Sequence, residues 1–220
     1  MKVLADKNSL LIENDHELIG IQSIFTRENE KRQKMENNRV CPWWLGYFLI
    51  NPLRRFSNDP ERMFSRFVKP GMTVIDYGCA MGYFSLPLAR MVGPEGKVYC
   101  FDIQQKMLDQ LMKRAGRTGL HPNIIPRLIQ NNGADFDGME QTADFALLFA
   151  VAHEVPDQKK LFIDICQMMK PGAFLYFAEP PGHVTQVEFE RSVGYAEQGG
   201  FKREFDRLVP GSRSAVMSKK

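Results

Sequence analysis

Several things this sequence lacks narrow what it can be. Its 4 cysteines, Cys41, Cys79, Cys100 and Cys166, form no C-x-x-C pair and no zinc-ligand spacing, so neither a disulfide framework nor a bound metal is expected. Cys100 and Cys166 stand within apolar patterns and read as buried thiols. No apolar run is long enough to span a bilayer; the longest nearly apolar stretches are CPWWLGYFLI and FALLFAVA. The opening MKVLADKNSLLIENDHE has no apolar block of the signal-peptide kind, and a cytoplasmic location is the expectation. Charge of one sign is also scarce. A net +3 is too small to imply a polyanionic partner, and no nucleic acid is expected. The basic clusters Lys31–Lys34, Arg54–Arg55 and Lys113–Arg117 read as solvated helix faces. There is no repeat and no low-complexity tract.

What remains is ordinary globular material: 220 residues, 44% hydrophobic and 25% charged, enough for one domain with a short appendage. Residues 1–68 lack strand–helix alternation and read as a helical extension. Leu18, Ile21, Ile24 and Phe25 mark one helical face, and Glu28–Arg32 and Glu30–Lys34 are spaced to support an exposed helix. The aromatic segment CPWWLGYF either seals this extension onto the rest or forms an apolar lid over a ligand. Asp59 and Pro60 mark the start of another helix.

From Lys69 to Lys220 the rhythm changes to β-then-α. Strands are predicted at 73–77, 97–102, 124–130, 144–150 and 173–178, with two more around Pro210-Gly211. Helices are predicted at 81–92, 104–118 and 157–169, and a fourth begins at Thr185, which has capping-box spacing to Glu188. This alternation predicts an α/β sheet with right-handed crossovers.

In such a sheet ligands bind beyond the carboxyl ends of the strands, so the first strand–helix loop, DYGCAMG, is the place to look. Gly78 would let the chain turn sharply, and Gly82 would remove a side chain from the path of an approaching ligand. Asp76 ends the strand. A nicotinamide or flavin site wants G-x-G-x-x-G, yet Asp76 and Met81 fall where the first and third glycines belong. A second acid, Asp102, ends the strand KVYCFD, placed to accept hydrogen bonds from two ribose hydroxyls or to cap the helix that follows.

The pattern D-x-G-x-x-x-G resembles motif I of class I S-adenosylmethionine-dependent methyltransferases, and GPEGKVYCFDIQQKMLDQL and MMKPGAFLYFAEP are similar to the members acting on quinone precursors, arsenite or other compact acceptors. That resemblance implies a Rossmann-like seven-stranded, mostly parallel sheet of order 3-2-1-4-5-7-6, with strand 7 antiparallel. It implies S-adenosyl-L-methionine as cofactor and S-adenosyl-L-homocysteine as product. Asp76, Gly78, Cys79 and Gly82 would floor the cofactor, Asp102 grip the ribose, Ile103 pack on adenine, Asn132 meet the adenine amino group, and Phe149 lie at the fourth strand's end. Residues 69–220 would be the cofactor-binding domain and residues 1–68 an extension or lid.

Methyl transfer needs positioning and sometimes a base, but no metal or covalent nucleophile. His153 and Glu154 directly follow the fourth strand, and Glu179 and His183 follow the fifth. Two His and two Glu at adjacent tips could supply a base with its orienting partner; His153 is the first candidate and Glu154 the second. Tyr83 and Phe84 are expected to line the acceptor pocket. Macromolecular methylation and an NAD-type nucleotide module are the alternatives, and monomer or homodimer is left open.

Overall fold

A computed structural model describes residues 43–45, 50, 58–130, 136, 138–206 and 212–220. The expected helices before residue 43 lie outside the described residues, as do Asn132 and Cys41.

Seven strands form one sheet: β1 (Thr73–Tyr77), β2 (Lys97–Asp102), β3 (Ile124–Leu128), β4 (Ala143–Phe149), β5 (Met169–Glu179), β6 (Phe201–Asp206) and β7 (Arg213–Lys219). Their order is β3-β2-β1-β4-β5-β7-β6. β1 to β5 pair in parallel, while β7 runs antiparallel to both β5 and β6. The expected topology is borne out. β5 begins earlier than its apolar run suggests, because Met169 pairs with Ala143 across a register shift.

Among the described residues five helices cover the sheet: α1 (Pro60–Phe64), α2 (Ser85–Val92), α3 (Gln105–Arg117), α4 (Gln158–Met168) and α5 (Gln186–Gln198). Period-two alternation divides the strands between two cores. Val74, Phe145, Leu147 and Tyr176 join Phe64, Leu88, Leu108 and Leu111 on the side of α1 to α3. Ile75, Ala146, Leu148 and Phe177 join Phe162, Ile165, Phe189 and Val193 on the side of α4 and α5. Each fully buried aromatic or leucine contributes about 2 to 3 kcal/mol, so both faces resist exposure.

Local signals work as chemistry dictates. Asp59 accepts from the Glu61 and Arg62 amides, and Pro60 opens α1. Thr185 and Glu188 close a reciprocal capping box on α5. α2 starts at Ser85 rather than Met81, since the positive φ angles of Ala80 and Gly82 cannot continue a helix. Met63 and Phe64 are buried in the α1–α3 core although they precede residue 69. Trp44 is 53% exposed, which removes it from any core role, while Lys106 Nζ lies 5.0 Å over the Trp43 ring.

Candidate active site

The β1–α2 loop is built around backbone. Gly78 takes φ +78° and Gly82 φ +79°, a region that side chains strain to enter. Their missing side chains serve neighbours in the protein, which refines the expected ligand clearance. A Cβ on Gly78 would come within 2.6 Å of Val151 just beyond β4, and one on Gly82 would collide with Leu111 of α3. Gly78 N–H and Cys79 N–H both donate to the Phe101 carbonyl, at 2.8 and 3.0 Å, tying the loop to β2. The Cys79 side chain turns into the α1–α3 core, so only its backbone belongs to the loop surface; burial pushes its thiol well up.

Two buried carboxylates hold this loop from beneath. Asp76 accepts a 2.5 Å hydrogen bond from Ser85 Oγ at the head of α2. Burial pushes its pKa up to about 7; the Ser85 bond opposes the rise and the Asp102 charge adds to it. Asp102 is 7% exposed and spans two segments: Oδ2 accepts from Ala80 N–H at 2.9 Å and Oδ1 from Gln104 N–H at 2.8 Å. Burial raises its pKa, against the pull of the Gln104, Ala80 and Ile103 amides. Asp102 thus ties the Gln104 amide, just ahead of α3, to the glycine loop, while Gln104, the N-cap of α3, makes no side-chain capping bond. A carboxylate has about four acceptor sites, so capacity remains beyond these amides. Beside it Ile103 is 49% exposed, an apolar face at the sheet's ligand edge.

At the neighbouring tips the site is made of side chains. Ala150, with φ +58°, breaks the chain out of β4 into a short 3-10 turn at Ala152–Glu154. His153 Nδ1 lies 2.6 Å from Glu179 Oε2, and His153 N–H donates to Glu179 Oε1 at 3.1 Å. Glu179 is 1% exposed at the end of β5. Burial alone would lower the His153 pKa; the Glu179 hydrogen bond and charge, with Glu154 adding, raise it instead. The His183 ring stands edge-on to His153, with centroids 5.6 Å apart.

The structure thus brings His153 together with Glu179 and His183, and leaves Glu154 as a neighbouring charge on the same turn. Phe149 packs on Phe84 with centroids 4.7 Å apart. Phe84 is buried in the core instead of lining an acceptor pocket. Tyr83 lines a hollow between α2 and α3 and donates to the Asn58 carbonyl at 2.9 Å. Burial of Phe84 against Phe64 turns Tyr83 outward to that hollow. Sequence reasoning missed Ala80, Ser85, Val151 and Arg114. Each acts through a partner distant in sequence or through its amide, and residue type alone does not report that.

A doubly covered sheet of order 3-2-1-4-5-7-6, with a glycine loop at the β1 tip and an acid at the β2 tip, is the architecture of class I S-adenosylmethionine-dependent methyltransferases. A family model described as a methyltransferase domain matches residues 68–202, and the chain belongs to that family. It is 31% identical over 126 residues to a demethylmenaquinone methyltransferase of Lactobacillus johnsonii, covering 56% of this chain and 51% of that protein. It is 27% identical over 160 residues to the ubiquinone/menaquinone biosynthesis C-methyltransferase UbiE of Pasteurella multocida, covering 70% and 58%. The chain spans about half the length of the curated relatives it matches. Among solved structures, a SAM-dependent methyltransferase from Aquifex aeolicus superposes with a TM-score of 0.72 at 25% identity, covering 81% of this chain and 98% of that one. Among the described residues no helix is long and apolar enough to cross a membrane, and no three His, Cys, Asp or Glu side chains cluster as a metal site.

Proposed function

We propose that this chain transfers a methyl group from S-adenosylmethionine to a small acceptor bearing an ionisable hydroxyl. The observation that carries the reading is the β2 tip, where the buried Asp102 carboxylate stands beside the exposed Ile103 under a positive-φ glycine loop. A nucleoside fits those groups: the carboxylate accepts from ribose hydroxyls and the isoleucine covers an adenine face. Asn132 is assigned to the adenine amino group, and Phe149 to the cofactor edge nearest β4.

The cofactor, when bound, supplies a methyl carbon already activated by sulfonium. The protein's own work is placement and proton removal. An ionised Glu179 only accepts, so the proton between it and His153 belongs to His153 Nδ1, which leaves Nε2 as the basic atom of the neutral ring. Nε2 would take the proton of an acceptor hydroxyl, raising electron density on the oxygen and on a conjugated ring. The names of the quinone-pathway relatives support such a ring as acceptor and ring carbon as the methylated atom. The Trp43–Leu45 turn near Lys106 is assigned to the acceptor lid. Location in the cytoplasm completes the reading.

Calorimetric titration with S-adenosylhomocysteine and with NAD tests the cofactor. Micromolar binding of the first and no heat from the second is expected; NAD binding alone would sink the proposal. Incubation with cofactor labelled in the methyl group, across demethylated quinols, phenols and an RNA pool, then identifies the acceptor. Label in the quinol or phenol arm is expected, and label confined to RNA transfers the reading to a macromolecular substrate.

A further inference from the structure

The basic run Lys113–Arg117 does more than solvate a helix. Between α2 and α3 lies a cavity of about 400 Å³ whose lining includes Arg90, Arg114 and Arg117. Arg114 is half-buried, and its Nη1 donates to the Met81 carbonyl of the glycine loop. Burial and the neighbouring Arg90 charge both act against the charged form of Arg114. Among the described residues no acid lines the cavity. Among the described residues none of the three arginines forms an ion pair. Elsewhere the protein does pair its guanidinium groups, as where Arg203 meets Glu190 at 2.7 Å and Asp206 at 2.7 Å. Places in the last turns of α2 and α3 give each arginine a favourable helix-end field, but do not account for their convergence on one hollow.

The lining also has an apolar share, with Pro60, Tyr83, Leu86 and Pro87 beside the arginines. We infer that this cavity binds a small organic phosphate, with the phosphate among Arg90, Arg114 and Arg117 and the apolar body against Tyr83, Leu86 and Pro87. A phosphate matches the donor set better than a carboxylate does. Arg114 uses one of five N–H groups on Met81, and three forks exceed the two oxygens of a carboxylate but suit the three terminal oxygens of a phosphate monoester. The site adjoins the glycine loop through Arg114 and Tyr83 but includes none of Asp76, Asp102, His153 or Glu179, and its occupancy does not depend on the methyl-transfer reading.

Isothermal titration of the full chain with phenyl phosphate, benzyl alcohol and a single-stranded RNA oligonucleotide tests this. Phenyl phosphate is expected to bind one to one, benzyl alcohol to give no heat, and rising salt to weaken binding. The pair Arg90→Gln/Arg117→Gln is expected to lower affinity about 30-fold, with the thermal unfolding midpoint within a few degrees of the parent. If the pair does not fold, Arg117→Gln alone, at an exposed position, is expected to lower it about 5-fold. Absence of phenyl phosphate binding, or unchanged affinity in a folded variant, overturns the assignment. Binding of the oligonucleotide without phenyl phosphate overturns it too and gives the hollow to a nucleic-acid backbone.

Discussion

The tips of β1 and β2 and the tips of β4 and β5 lie side by side on one sheet edge, yet they are built in opposite ways. At the first pair the working parts are backbone: two glycines at positive φ, and amides of Ala80 and Gln104 held by the Asp102 carboxylate. At the second pair they are side chains, His153 and Glu179, joined by a 2.6 Å contact across 26 residues of sequence. A backbone site is stiff and indifferent to most neighbouring substitutions. A side-chain pair is tunable, because one carboxylate sets both the orientation and the proton affinity of the ring.

The contrast can be broken hardest at Gly82. Gly82→Ala places a Cβ against Leu111 at a strained φ, and about 3 kcal/mol of stability should disappear, read from the urea midpoint. A loss under about 0.5 kcal/mol would show the loop to be pliable after all. Next comes Asp102→Ala. Removal of two charge-assisted hydrogen bonds to a nucleoside should weaken S-adenosylhomocysteine about 100-fold in calorimetry. Unchanged affinity would confine Asp102 to its amide partners.

Glu179→Gln tests the other pair. The rate should fall about 10-fold while KM for the cofactor holds, and the acidic limb of the kcat–pH profile, where His153 loses its proton, should move to lower pH, because the charge that raises the His153 pKa is gone. A fall in rate without movement of the profile would reduce Glu179 to a structural role.

Asp76→Asn addresses linkage. Between its unfolded value of 3.8 and about 7 the folded chain keeps a proton that the unfolded chain has released, so stability falls as pH rises through that window. The asparagine variant should flatten this slope in urea midpoints taken at pH 4, 5.5 and 7, leaving the smaller share due to Asp102. An unaltered slope would mean Asp76 is ionised throughout. The smallest effect is expected from Glu154→Gln, under about 3-fold in rate, since a neighbouring charge acts on His153 without a hydrogen bond. A loss equal to that of Glu179→Gln would restore Glu154 to the first rank.

The same contrast governs what could be read in advance. The sheet order, the capping box at Thr185 and the acid at the β2 tip were legible because each is carried by local spacing or by resemblance to a family pattern. The 3-10 turn that delivers His153 was legible only as four polar residues near two strand ends. Which acid meets the ring depends on the adjacency of β4 and β5, and Glu154, closer in sequence, loses to Glu179, which points inward from the neighbouring strand. Gly78 and Gly82 were found for a sound reason, their backbone freedom, but their close neighbours, Val151 and Leu111, come from distant segments. The solvated-face reading of Lys113–Arg117 missed Arg114 because a helix face turns inward only where another segment offers a carbonyl, here Met81.

Strand β7 sits between β5 and β6, hydrogen-bonded to both, although both precede it in the chain. During synthesis the sheet therefore waits with a gap, and β5 offers an unsatisfied edge until residues 213–219 clear the ribosome. Nascent chains arrested before that point should be easy prey for proteases and for chaperones that seek open strand edges, and the Glu179 end of β5 should be among the last parts of the molecule to settle.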